Sequence, residues 1–208
     1  SSSAASDVYK RQVQNHQLML LHGAQGKGKS TFIRHLLPPE LKDYYRNGMI
    51  IPENNNHLLQ LSSCLLINLD EFDTLSPERM QNLKSLITQD VVNERKVYDI
   101  QNYTYIRRAS FIASTNNPHC MPDVKENRRI LFSTLLNIDY HTPVNHEGIY
   151  AQAYALYRQG FQYWYENEEI TFLNNRNEAF RQKDPLEENL FFYFRAARPN
   201  DILSLIHI

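Results

Sequence analysis

Eight consecutive residues, Gly23-Ala24-Gln25-Gly26-Lys27-Gly28-Lys29-Ser30, carry the spacing G-x-x-x-x-G-K-S and run on into Thr31. The chain has only 6 glycines, and three of them, Gly23, Gly26 and Gly28, fall here. Glycines let a backbone curl until successive N–H groups point inward at one anion. A lysine at position 29 then reaches the β- and γ-phosphates of a nucleotide, and the Ser30 hydroxyl ligates Mg²⁺. The pattern therefore predicts a phosphate loop for ATP and Mg²⁺ formed by residues 23–31. Asp70-Glu71 closes the apolar run Leu65–Leu69. Asp70 is the expected Mg²⁺ partner and Glu71 the expected general base for an attacking water. Ser114-Thr115-Asn116 closes another apolar run, and its amide, Asn116 in preference to Asn117, is expected to position that water. Arg128-Arg129 precedes Ile130-Leu131-Phe132. One of the two, with Arg129 favoured, is expected to face charge on the transferred phosphoryl group, in its own subunit or a neighbouring one. Arg95, Lys96, Arg107 and Arg108 flank Tyr98, Tyr103 and Tyr105. Cations that track a phosphate backbone and rings that stack on bases make this a candidate contact for single-stranded DNA.

These groups need strands that end where the chemistry happens. The run Gln17–Leu21 reads as a buried strand leading into the loop, and Ser30–Leu37 reads as a helix stopped by Pro38-Pro39. Such a helix would add its positive N-terminal end to the cradle. Residues 40–56 read as polar, with Asn54-Asn55-Asn56 as a loop. Cys64–Leu69 reads as a second strand. Ser76-Pro77-Glu78 opens a helix with Leu83, Leu86 and Ile87 on one face. Residues 91–108 read as a hairpin, Ala109–Ser114 as a third strand and Ile130–Phe132 as a fourth. A polar connector, Asp139–Gly148, leads to helices over roughly 148–167 and 185–197. The alternation predicts an α/β fold: a parallel sheet flanked by helices over residues 13–138, with a C-terminal helical extension over 148–202.

The chain has 208 residues, 42% hydrophobic and 22% charged, with a net charge of -1. That composition is globular, and the charge balance confines any nucleic-acid contact to a local patch. No apolar run approaches the roughly 18–20 residues of a membrane helix. The two cysteines, Cys64 and Cys120, fit a reducing cytoplasm. The ends answer to each other. Residues 7–12 can be written GAT GTG TAT AAG AGA CAG, whose reverse complement translates as Leu-Ser-Leu-Ile-His-Ile, the sequence of residues 203–208. Such an inverted repeat is expected of a translated transposase-type sequencing adapter, with Ser2–Gln12 as its longer arm. Residues 1–12 and 203–208 are therefore set aside, as a cloning scar would be. The remainder is expected to be an internal piece of a longer protein from assembled environmental DNA.

Taken in order, G-A-Q-G-K-G-K-S-T-F, L-L-I-N-L-D-E-F, N-E-R-K-V-Y, R-R-A-S-F-I-A-S-T-N and N-R-R-I-L-F resemble the virulence-associated protein E (VirE/VapE) family of P-loop ATPases. That family resembles the superfamily 3 helicases of the AAA+ group. The resemblance spans roughly residues 17–135, and residues 178–197 resemble the helical region that follows in Bacteroides-type members. It implies a ring-forming homo-oligomer acting on phage, plasmid or island DNA, fused upstream to a primase-like region. The Asn-Arg-Arg-Ile run departs from the more common Gly or Asn, Arg, Arg, aromatic pattern, which leaves the choice of arginine open. The expected function is Mg-ATP hydrolysis coupled to DNA unwinding or translocation, as part of a replication primase–helicase. The alternatives are a nucleotide-gated switch with little motor activity, which needs no activated water, and a P-loop kinase, which needs an arginine-rich lid.

Overall fold

The computed structural model describes residues 16–51, 54–70, 72–95, 102–121, 129–182 and 186. In chain order the elements are β1 (Leu18–His22), α1 (Lys29–Arg34), a 3-10 helix (Pro39–Tyr44), β2 (Tyr45–Asn47) and α2 (Asn55–Ser63). Then come β3 (Leu66–Leu69), a 3-10 turn (Phe72–Thr74), α3 (Pro77–Thr88) and β4 (Val91–Arg95). β5 (Asn102–Ile106), β6 (Ser110–Thr115), β7 (Ile130–Thr134), α4 (His146–Arg158) and α5 (Asn167–Glu178) follow.

The apolar runs become strands that need cover on both faces, the mark of a parallel sheet. Five strands line up in the order β2-β3-β6-β1-β7, while β4 and β5 form a separate ribbon. Every pairing in the five-stranded sheet is parallel, and β4 pairs with β5 antiparallel. Side chains alternate across the sheet. On one face Leu18, Leu20, Ile67, Leu69, Phe111, Ala113, Ile130 and Phe132 pack with Leu61 of α2 and with Met80, Leu83, Leu86 and Ile87 of α3. On the other, Leu21, Ile33 and Ile112 form a smaller cluster with Phe32, Leu36 and Leu66. α1 is too short to cover that face, and Met19 stays 43% exposed on β1, an interior strand between β6 and β7.

Capping sets the helix starts. Ser76 Oγ accepts the Arg79 N–H at 3.3 Å and opens α3 as expected. Asn54 Oδ1 accepts the Asn56 N–H at 3.0 Å and opens α2. The asparagine run expected to be a loop is therefore a helix start, since the side chain that favours a loop also satisfies a free helical N–H. α1 ends at Arg34 rather than Leu37, ahead of Pro38-Pro39, where the residue before a proline is pushed out of the helical region. The helix expected over 148–167 is shorter, α4 ending at Arg158, and α5 over Asn167–Glu178 lies almost wholly beyond the expected span. Asn145 Oδ1 caps α4 at the Gly148 N–H, 3.0 Å, and Gly160, at φ 72°, takes the left-handed turn that follows it. α5 starts from a reciprocal capping box between Glu166 and Glu169. α4 buries no residue at all, whereas α5 buries Leu173 and Asn177. The helix expected over 185–197 and both stretches read as adapter lie outside the described residues, apart from residue 186. Among the described residues no helix is long and apolar enough to cross a membrane.

Candidate functional site

Parallel strands deliver all their carboxyl ends to one edge of the sheet, which is where α/β sheets place ligands. Here that edge carries the glycine loop after β1, Asp70 after β3 and Asn116 after β6. β6 lies between β1 and β3, with His22 opposite Thr115 and Leu69 opposite Ala113. The register brings Asp70 level with Ser114.

The loop curls as its glycines allow, with Gly26 at φ 76° and Gly28 at φ 78°. Lys29 is only 8% exposed. Its Nζ donates to Gly23 O at 2.7 Å, to Ala24 O at 3.0 Å and to Asn116 Oδ1 at 2.7 Å. Burial pushes the ammonium below the ordinary lysine range, while the charges of Asp70 and Asp73 pull it back up. Ser30 Oγ donates to Asp70 Oδ2 at 3.2 Å. Ser114 Oγ donates to Asp70 Oδ1 at 2.6 Å. Three stretches far apart in the chain are thus tied into one network. They line a cavity of about 450 Å³ bounded by residues 25–31, Asp70, Asp73, Ser114–Asn116 and Tyr140. A curled loop with Lys27 and Lys29 beside the cavity suits a polyanion. Ser30 and Asp70 supply the oxygen donors preferred by a small, hard divalent cation. Among the described residues no three His, Cys, Asp or Glu gather as a candidate metal cluster.

Asn116 and Asn117 separate cleanly. Asn116 meets Lys29, whereas Asn117 Oδ1 accepts the His119 N–H at 2.9 Å and is used in the turn. Glu71, Lys96 and Arg128 lie outside the described residues. Arg129 is half-buried at the start of β7. Ile130 pairs with Leu18 and Thr134 with His22, so Arg129 stands at the amino edge of the sheet, a full strand away from the loop. At about 3.3 Å per residue that separation is roughly 16 Å. The structure therefore does not bring Arg129 together with the glycine loop of its own chain.

The basic hairpin also departs from expectation. Arg107 is only 3% exposed. Its guanidinium donates to Gln89 O at 2.7 Å, Ala109 O at 2.6 Å and Ile87 O at 3.1 Å, over the ring of Phe111. It ties off the end of α3 and has no surface to offer a nucleic acid. Arg108 is exposed, and Arg95 sits on β4.

Sequence reasoning missed Ser114, Asp73 and Tyr140. Ser114 carried a signal, being the first polar residue to break the apolar run of β6. Asp73 sits one short turn beyond Asp70. Tyr140 carried none, because the loop after β7 returns to the glycine loop only in three dimensions.

Comparison with known proteins gives two kinds of likeness. A family model described as virulence-associated protein E-like domain matches residues 2–182, a span that takes in residues 2–12. Solved structures of the NrS-1 C-terminal region resemble the chain. One covers 85% of this chain and 37% of its own, at 16% identity and TM-score 0.45. Another covers 85% and 38%, at 17% identity and TM-score 0.46. No curated protein matches the sequence.

Proposed function

The chain belongs to the virulence-associated protein E-like domain family, and from that premise we propose that residues 23–31 bind Mg-ATP and that the chain hydrolyses it. We infer that the energy moves or unwinds single-stranded DNA within a larger phage or mobile-element replication protein. That protein would carry a primase-like region and assemble as a ring of copies in the cytoplasm. The observation that carries the reading is the Lys29 Nζ to Asn116 Oδ1 bond of 2.7 Å. It ties the cation at the mouth of the loop to the strand-end amide on the neighbouring strand. A nucleotide seated on the loop amides would put its terminal phosphate against Lys29, with Asn116 beside it to hold the attacking water. Ser30 and Asp70 would hold Mg²⁺, which when bound offsets phosphate charge. Ser114 fixes one oxygen of Asp70 and leaves the other facing Ser30. Glu71, next in sequence to Asp70, is the proposed general base. Arg129, or Arg128 beside it, would act on the site of the adjacent subunit in the ring. The amide beside Lys29 favours hydrolysis over a nucleotide-gated switch.

The test is phosphate release with and without single-stranded DNA. Wild type should show Mg²⁺-dependent, DNA-stimulated release, and Lys29→Ala should lose it by about a hundredfold or more. Glu71→Gln should bind ATP yet not cleave it, and mixing Arg129→Ala with Lys29→Ala subunits should restore partial activity. Equal release by wild type, Lys29→Ala and Glu71→Gln would overturn the hydrolase reading.

A further inference from the structure

The cavity has one wall unlike the others. Its described lining is polar or glycine throughout, except for the ring of Tyr140. That ring rests on the loop itself: a Cβ at Gly28 would stand 2.1 Å from Tyr140 Cδ1 and 2.4 Å from Cε1. Gly28 is therefore required twice, once for its φ of 78° and once to admit the ring.

Tyr140 is held in place from both sides. Before it, the Leu135 N–H donates to His22 O at 2.7 Å, and the Leu135 carbonyl would lie 3.2 Å from a Cβ on Gly23. After it, the Asp139 carboxylate accepts the N–H of His141 at 3.1 Å and of Thr142 at 3.0 Å. It also accepts the Thr142 hydroxyl at 2.5 Å. The His141 ring lies alongside, with centroids 4.2 Å apart. The segment after β7 thus returns to the glycine loop and pins one half-buried phenol ring at Gly28, while Lys29 and Ser30 turn toward Asn116 and Asp70.

A nucleotide has the same two-part chemistry, a polyanionic tail and a flat base with apolar faces. We propose that Tyr140 recognises the base: its ring is the stacking surface that makes this cavity selective for a nucleoside triphosphate, with purines favoured for their larger face. The inference rests on the nucleotide reading above and extends it from the phosphates to the base. The loop and Lys29 account for any polyphosphate, and among the described lining residues the Tyr140 ring supplies the aromatic face on which a base can stack.

The test separates the two parts. The 208-residue chain, with Tyr140→Phe and Tyr140→Leu, is titrated with Mg-ATP and with inorganic tripolyphosphate. Leucine keeps apolar bulk on Gly28 and removes the ring. Tyr140→Leu should weaken ATP by about tenfold, the scale of one stacked base. It should leave tripolyphosphate unchanged, and Tyr140→Phe should match wild type with both. Equal weakening of ATP and tripolyphosphate in Tyr140→Leu would overturn the proposal, since the ring would then only shape the loop. Unchanged ATP affinity would overturn it too. A wild type that binds neither ligand would instead overturn the nucleotide reading on which it rests.

Discussion

The carboxyl edge of the sheet and helix α4 are both crowded with residues that catch the eye, and they are built in opposite ways. At the sheet edge Lys29, Ser30, Asp70, Ser114 and Asn116 come from three separate stretches and are joined by hydrogen bonds. Along α4, Ile149, Tyr150, Tyr154, Leu156 and Tyr157 are between 37% and 62% exposed. The first two turns of α4 meet the segment that follows α1, through His146 Nε2 at 2.8 Å from His35 O and Tyr150 OH at 3.3 Å from Leu36 O. The contrast shows that a residue's type announces a possibility, and its partners decide whether the possibility is used.

Arg107 gives the sharpest form of that rule, because Arg108 beside it has the same type and a different environment. Arg107→Ala should cost about 3 kcal/mol of stability in a thermal or denaturant melt, since three carbonyls lose a buried donor. Arg108→Ala should stay within about 0.5 kcal/mol. Similar costs for the two would break the distinction. Gly28→Ala comes next. A left-handed backbone costs a side chain about 1–2 kcal/mol, and the new methyl would also displace Tyr140. Mg-ATP binding should fall by about a hundredfold, measured by titration.

A smaller effect tests the network around Asp70. Ser114→Ala should raise the Mg²⁺ concentration needed for half-maximal activity by about tenfold, the usual loss when a ligand's outer partner is removed. Binding of metal-free ATP should be unchanged; a uniform fall in both would mean that Ser114 acts only in packing. The smallest effect belongs to α4. Tyr154→Ser and Tyr157→Ser should change stability by less than about 0.5 kcal/mol each. A much larger loss would show that this face is packed after all.

Much of the fold could be read from residues alone, for a physical reason. Strands buried on both faces must be apolar throughout, so Leu18–Leu21, Leu65–Leu69 and Ser110–Ala113 stand out from a polar chain, and each stops where a polar group is delivered. α3 was legible because Ser76, Pro77 and the Leu83-Leu86-Ile87 stripe agree. α2 was not, because asparagine serves loops and caps alike. α5 was not, because it is polar along most of its length and buries only Leu173 and Asn177. The sequence positions of Lys29, Ser30, Asp70 and Asn116 sufficed to group them. Burial of Arg107 could not be read, since nothing local marks a guanidinium that will find three carbonyls. Tyr140 was hidden for the same reason, its meeting with Gly28 being set by tertiary structure.

Calorimetric titration of Mg-ATP into the full chain is the most direct examination of the central claim, comparing wild type with Lys29→Ala. Saturable binding by wild type, weakened by about a hundredfold in Lys29→Ala, is the expected result. Equal affinity in the two proteins, or no heat of binding in the wild type, would contradict the claim that the glycine loop and its lysine grip a nucleoside triphosphate.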